Sequence, residues 1–501
     1  MIAPGHAQRN IVYAIHNGKE HGLILEKIPK DVKLVIAPDS SSNQYEEHKI
    51  LKEQGVDVLV LDHHEADKFS ENACVINNQI GNYPNKTLSG VGIVYKFCQY
   101  IDSLLDETER CADLLLDLVA IGMVADLMDL RDFETRALIS YGVDHLENPF
   151  LIEFVKSQAY SLKGEVTPFG ISFYIAPYIN AVVRVGTLDE KMLLFESMLD
   201  FRAYEEIPST KRGCKGQTET RVEQACRTCK NIKNRSNRMR DASLDMIESQ
   251  IEEKQLLNYP IIIIELIEPV EENMTGLIAN QIMGKYMRPV LILNRHIEVD
   301  EGTGEVLLDI WRGSGRNATY SKLDNMREFL EKSGLVEYAQ GHAGAFGIGV
   351  LNEKLDELKK YINTSLKDLD FSNSYRVDFI WNANSIEEYK NDIMDLGKLS
   401  RFWGQGLSEP QIAIENIKIH KDNIVLMSPD KKPTLKIILP GNLTLIKFGS
   451  SKEEFDNLYK ETGCITINAV GTCNLNEWNG NFSPQIIIEE YEIINKTNFY
   501  F

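Results

Sequence analysis

Two short apolar runs, each closed by an acid, constrain this chain more than anything else in it. Lys33-Leu-Val-Ile-Ala37 runs into Pro38-Asp39, and Val58-Leu-Val-Leu61 runs into Asp62-His63-His64. Between them, residues 45–54 have the texture of a helix and end at Gly55, a residue suited to a helix C-terminus. Apolar strands joined by a helix imply a parallel sheet covered on both faces. Ligands of such sheets bind at the carboxyl ends of the strands. Asp39 and Asp62 both fall there.

Beyond this unit, helices are expected near 91–105 and 111–130, and residues 150–255 read as mostly helical. A second α/β unit then begins. Pro260-Ile-Ile-Ile-Ile-Glu265 is a strand, 276–286 a helix, 290–293 and 306–311 further strands, and Arg312-Gly-Ser-Gly-Arg316 a glycine-containing turn. After about residue 370, short alternating strands are expected at 411–420, 423–427, 434–439, 444–448, 464–470 and 485–490. Strands at that spacing suggest a small β-barrel of the OB type. The fold class is therefore α/β with four regions: a parallel-sheet domain over 1–150, a helical connecting region over 151–255, an α/β domain over 256–370 and an OB-like β-barrel over 371–501.

The formal net charge of −20 argues against a protein that coats nucleic acid non-specifically. It leaves room for basic groups lining one channel. Residues 211–240 are such a concentration, with ten Lys and Arg against Glu219 and Glu223. The choice there lies between a solvated helix face and a phosphate track. Eight cysteines over 501 residues are too sparse for a disulfide scaffold. Cys226 and Cys229 form a Cys-x-x-Cys with no convincing fourth zinc ligand nearby, which favours reduced thiols on a helix. No apolar run approaches the ~20 residues that span a bilayer. A cytoplasmic protein without membrane contact is the expectation.

The chemistry concentrates in Asp62-His63-His64. Carboxylate and imidazole are ligands for divalent metals. Asp39 ends the neighbouring strand, and Asp126 closes Gly122-Met-Val-Ala-Asp126 on an otherwise apolar helix. A carboxylate on an apolar face is costly unless it is paired, capping or metal-bound.

These residues resemble a known family. Leu61-Asp-His-His-Glu65, Gly122-Met-Val-Ala-Asp126 and Gly341-His-Ala-Gly-Ala-Phe-Gly347 look like motifs of the DHH/DHHA1 phosphoesterase superfamily, in its order and separations. Ala176-Pro-Tyr-Ile-Asn180-Ala-Val-Val-Arg184, Leu399-Ser-Arg-Phe-Trp-Gly-Gln-Gly-Leu-Ser-Glu-Pro410 and Asn476-Glu-Trp-Asn-Gly480 point within it to RecJ-like single-strand exonucleases. The resemblance implies that 1–150 is a DHH domain and 256–370 a DHHA1 domain. It implies metal ligation, by Mn²⁺ or Mg²⁺, at Asp39, His63 and Asp126. It implies that His64 contacts the scissile phosphate while Asp62 orients the histidines. It also implies nucleic-acid contacts from Asn180, Arg184, Arg312, Ser314, Arg316 and His342, where Arg offers a planar fork to phosphate and Gly313 and Gly315 admit a close backbone approach.

The same family carries an Asp-x-Asp on its first strand, and residues 1–38 contain none. Residues 11–22 resemble the stretch that follows that strand, so the chain is expected to start downstream of it. His6 and His16 could not replace two aspartates without new geometry. The leading expectation is a metal-dependent 5′-to-3′ exonuclease on single-stranded DNA, in recombination, repair or replication. The alternatives are a single-strand-binding protein with impaired hydrolysis and a phosphodiesterase for oligoribonucleotides or cyclic dinucleotides. A distal strand-binding domain argues against the last.

Overall fold

The computed structural model describes residues 11–17, 20–106, 110–266, 269–270, 272–300, 302–318, 321–369, 375–430, 432–459, 463–478 and 480–498. His6 lies outside them, as does the side chain of Trp478. Among the described residues no helix is long and apolar enough to cross a membrane. The chain divides into two compact units: residues 1–230 with 376–501, and residues 231–375.

The first unit contains a three-stranded parallel sheet, β1 (Leu34–Pro38), β2 (Asp57–Asp62) and β3 (Cys74–Asn77), in that order, with α1 (Tyr45–Glu53) between β1 and β2. β2 is the middle strand, and Val58, Val60 and Leu61 are buried. Each such side chain stabilises the fold by about 1.5–3 kcal/mol. β1 departs from the expectation of burial on both faces. Among the described residues it is an edge strand, whose Val35 and Ala37 join the core while Leu34 and Ile36 are half exposed. Alternate residues point to opposite faces of a sheet, and only one face of β1 is covered.

α2 (Gly90–Ser103) packs on the sheet, α3 (Leu116–Ala125) on α2, and α4 (Phe133–Asp144) on α3. The helix expected over 111–130 is shorter because Leu127 takes a left-handed conformation at φ 57° and ends it. Helices α5 (Pro149–Ser157), α6 (Ala159–Leu162) and α7 (Pro168–Gly170) follow, then a π-helical turn over Ile171–Ile175. α8 (Ala176–Val185), α9 (Leu188–Ser197) and α10 (Asp200–Ala203) lead to a hairpin of β4 (Glu206–Pro208) and β5 (Thr218–Thr220). The long α11 (Arg221–Glu253) crosses from the first unit into the second.

The second unit holds β6 (Ile262–Leu266), α12 (Glu272–Tyr286), β7 (Val290–Val299), β8 (Val306–Arg316), α13 (Met326–Lys332), β9 (Tyr338–His342), β10 (Ala345–Leu351) and α14 (Leu355–Ser365). The sheet order is β6-β7-β8-β10-β9, with β6 and β7 parallel and the other neighbours antiparallel. One expectation fails here. Arg312 to Arg316 is no turn but the last five residues of β8. Gly313 makes the pairing fit: a Cβ there would sit 1.8 Å from the Ile292 carbonyl oxygen of β7. The two glycines of this run thus admit the protein's own neighbours, since a Cβ at Gly315 would strike the Phe346 ring at 2.5 Å.

The C-terminal part of the first unit comprises β11 (Phe379–Asn382), α15 (Lys390–Lys398), β12 (Gln411–His420), β13 (Ile424–Met427), β14 (Thr434–Ile438), β15 (Thr444–Phe448), α16 (Lys452–Tyr459), β16 (Gly463–Trp478) and β17 (Asn481–Asn498). Its seven strands run β11-β12-β16-β17-β15-β14-β13 around a core of Ile412, Ile414, Leu445, Ile467 and their neighbours. The small OB-type barrel expected from the sequence, closed or nearly closed, is not closed by the ladders. Among the described residues β11 and β13 stand at opposite ends of an open order. The extra length lies in the β16–β17 hairpin, whose register breaks between Val470 and Gly471 bend it.

Candidate active site

The carboxyl ends of β1 and β2 set the site. Asp39 follows β1 with φ 58°, a left-handed conformation that Asp tolerates better than most residues. Its N–H donates to the Leu61 carbonyl at 2.8 Å, holding the turn against the end of β2. Asp62 ends β2 and is buried, at 1% exposure. Its carboxylate accepts from the backbone N–H of Ser42 at 3.1 Å and of His63 at 2.8 Å, and pairs with His64 Nδ1 at 2.7 Å. Burial alone would raise this carboxyl, but the hydrogen bonds from His64, Ser42 and His63 outweigh it and hold it well below the usual range. The same contact with Asp62 raises the His64 imidazole against the opposing effect of burial. Asp62 therefore fixes His64 through Nδ1 and leaves Nε2 available.

His63 is the centre of the cluster. Its Nε2 lies 3.3 Å from Asp39 Oδ1 and 3.2 Å from Asp126 Oδ2. Atoms bound to one ion at about 2.0–2.2 Å stand roughly 3 Å apart, so each carboxylate oxygen is spaced from this nitrogen as two ligands of one cation are. One ligand atom each from Asp39, His63 and His64 also lie within 4.8 Å of one another, but Asp126 is not in this mutually close group of three. A donor set of carboxylate oxygen and imidazole nitrogen suits a divalent ion such as Mn²⁺. The structure thus brings together Asp39, His63, Asp126, His64 and Asp62.

Asp126 reaches the cluster differently from the sequence expectation. It is the C-cap of α3, half exposed, and does not lie on the apolar face. The buried carboxylate of that helix is Asp117, which accepts from the N–H groups of Leu118, Glu147 and Asn148 and so ties α3 to the start of α5. Sequence reasoning also missed two supports. Asn77, at the end of β3, donates to Ser42 Oγ and to the His64 carbonyl, both at 2.9 Å. Gly90 opens α2 against Asp39, where a Cβ would meet Oδ1 at 2.2 Å. The Ser89-Gly-Val-Gly92 sequence was the available signal for such a close approach.

Asn180 and Arg184 sit four residues apart on α8, hence on one face. α8 packs against α3, the helix that delivers Asp126. The remaining residues belong to the second unit. Arg312, Ser314 and Arg316 alternate along β8 and share one face. Across the ladder they oppose Gly349, Gly347 and Ala345 of β10, which in turn oppose Tyr338, Gln340 and His342 of β9. By register, Arg312, Ser314 and Arg316 therefore share one face of the sheet with His342. Ser314 Oγ bonds Thr275 Oγ1 at 2.9 Å, and Gly276 of α12 makes room for the Arg316 guanidinium.

Four of the ten basic residues of this segment pair with acids. Lys211 and Arg227 pair with Glu219, Arg221 with Glu196 and Glu205, and Arg240 with Asp241. This weakens its reading as a phosphate track. Cys226 and Cys229 are buried on α11, and burial pushes the Cys229 thiol up to about 12, so both stay protonated and unreactive.

Comparison with known proteins now bears on this geometry. Residues 5–123 match the N-terminal domain of the DHH family, and residues 383–490 match the RecJ OB domain. A putative prophage-derived single-strand DNA-specific exonuclease, YorK of Bacillus subtilis, is 36% identical over 97% of this chain and 82% of its own length. The chain belongs to the RecJ-like DHH family. The Bacillus subtilis single-stranded-DNA-specific exonuclease RecJ is 27% identical over 91% of this chain, which spans about half, 53%, of that longer protein. The crystal structure of Thermus thermophilus RecJ in complex with Mn²⁺ shares the fold, with a TM-score of 0.66 at 17% identity over 93% of this chain and 62% of that one. Membership accounts for the α/β architecture and for the C-terminal OB module, whose sheet is open here.

Proposed function

We propose that this chain is a metal-dependent exonuclease that hydrolyses phosphodiester bonds of single-stranded DNA from 5′ to 3′, in the cytoplasm, in recombination, repair or replication. The observation that carries the reading is the His63 imidazole flanked at 3.3 and 3.2 Å by Asp39 and Asp126, beside a His64 that Asp62 holds by one nitrogen. The relatives named as single-strand-specific exonucleases and the solved RecJ complexes with Mn²⁺ and Mg²⁺ support it.

Asp39, His63 and Asp126 would hold a divalent cation, Mn²⁺ or Mg²⁺. Such an ion supplies positive charge to the phosphoryl oxygens and lowers the pKa of a bound water. His64 is turned so that Nε2 donates to a phosphoryl oxygen, with Nδ1 kept on Asp62. Asn180 and Arg184 extend the contact along the strand, and the sheet face with Arg312, Ser314, Arg316 and His342 takes a nucleotide phosphate. In this reading the DHH domain covers 1–150, the helical connection 151–255, the DHHA1 domain 256–370 and the OB module 371–501.

A second reading, strand binding with impaired cleavage, is favoured by one observation: residues 1–38 contain no Asp-x-Asp. One experiment separates the two. Single strands labelled at either end are incubated with the protein and Mn²⁺. The exonuclease reading expects early release of the 5′ label as mononucleotide. Retarded but intact strands would leave binding alone, and first release from the 3′ end would refute the polarity.

A further inference from the structure

We infer that His21 is a second imidazole of the active site, which donates to the phosphate of the bound strand beside His64. The inference rests on the proposed function and adds a residue to its site.

The sequence around His21 looks like an ordinary polar loop, but the structure pins the two residues that follow it. Gly22 follows it with φ 70°, a left-handed conformation that glycine adopts without strain. A Cβ on Gly22 would lie 2.2 Å from Gln44 Oε1, so only glycine fits there. Gln44 then clamps the next residue, accepting from the Leu23 N–H at 2.6 Å and donating to its carbonyl at 3.1 Å. His16 Nε2 also bonds the Gly22 carbonyl, at 2.8 Å. Gln44 is the N-cap residue of α1, the helix between β1 and β2. The His21 backbone is thereby tied to the element that connects Asp39 to Asp62.

The clamp delivers the His21 ring to His64. Their centroids are 5.9 Å apart with the planes at 83°, and His64 is 4.6 Å from His63. His21 and His64 are both exposed, so a ligand can reach either ring. His64 Nδ1 is taken by Asp62, which leaves Nε2 for a ligand. Two imidazoles at this separation can both reach the oxygens of one phosphate through bonds of about 2.7–3.0 Å.

The test is binding of a 5′-phosphorylated, fluorescein-labelled oligo(dT) 20-mer with Ca²⁺, followed by Mn²⁺-dependent cleavage. The full chain is compared with His21→Ala, His21→Lys and the control His420→Ala, an exposed histidine at the end of β12. The inference expects His21→Ala to raise Kd and KM about five- to tenfold, with an unchanged thermal midpoint, while His21→Lys restores binding and His420→Ala changes nothing. An unaltered Kd and KM for His21→Ala, with wild-type binding intact, overturns the inference and leaves the proposed function standing. A weakened Kd that Lys does not restore, with a lowered midpoint, assigns His21 a structural role and overturns it too. A wild-type chain that binds no oligo(dT) overturns the proposed function itself, and the inference with it.

Discussion

Gly90→Ala is the smallest change that should disable the site without touching any proposed ligand. The added Cβ would meet Asp39 Oδ1 at 2.2 Å and the Asp39 Cβ and Cγ at 2.6 Å. Because the clash includes Asp39 Cβ, rotating the carboxylate alone cannot relieve it. The main chain of the Asp39 turn must retreat, and that turn is held by the Asp39 N–H to Leu61 bond. Restoring ordinary contact needs about 1 Å of movement, and a misplacement of that size can cost on the order of 100-fold in rate. Stability should change little by comparison. Gly90 begins α2, and alanine in place of glycine within a helix recovers about 0.5–1 kcal/mol, offsetting part of the strain. Calorimetric Mn²⁺ titration, single-strand degradation and a urea melt should be run on the same preparations. The expected result is a Mn²⁺ affinity reduced at least tenfold, cleavage reduced about 100-fold, and a melt within roughly 1–2 kcal/mol of wild type. Wild-type Mn²⁺ affinity in Gly90→Ala would show that Asp39 does not have to stand where the structure puts it, and the metal assignment would fall.

Two further predictions address the rest of the molecule. Burial pushes the Glu409 carboxyl up to about 7 from an ordinary 4.5, despite a bond with Thr472. Its folded pKa is the higher one, so stability is lost as pH rises from about 4.5 to about 7, by up to roughly 3 kcal/mol. Glu409→Gln should match wild type near pH 4.5 and be more stable at pH 8 in urea melts; equal stability at pH 8 would contradict the assigned burial. Arg312→Ala should weaken single-strand binding for every sequence and reduce the slope of log K against log salt by about 1. An unchanged slope would remove Arg312 from the phosphate face.

The parts of the site that were legible in the sequence share a property: each sits at the end of a short, strongly apolar segment. Asp39 and Asp62 close apolar strands, and the strand-end rule for parallel sheets puts them on one edge without further information. Asp126 was located correctly in the chain but not in the helix, because an apolar run does not reveal where Leu127 turns left-handed and stops it. Supports that act through the backbone were not legible. Asn77 ends a strand of four residues, too short to stand out, and the Gln44 clamp on Leu23 joins residues 21 positions apart. Arg312 to Arg316 read as a turn because glycine weakens a strand pattern, whereas the tight β7–β8 pairing demands glycine there. The C-terminal strands were legible as alternating segments. Their closure was not, since pairing of the first and last strands leaves no local mark in sequence.

The central claim is that His63, between Asp39 and Asp126, binds the divalent ion on which single-strand cleavage depends. Its most direct test is Mn²⁺ titration by calorimetry of the wild-type chain and His63→Ala, with release of mononucleotide from 5′-labelled single strands measured alongside. The account predicts a Mn²⁺ affinity at least tenfold weaker in His63→Ala and no detectable release, with binding to the strand retained. Equal Mn²⁺ affinity in the two proteins, or release by His63→Ala at the wild-type rate, would contradict it.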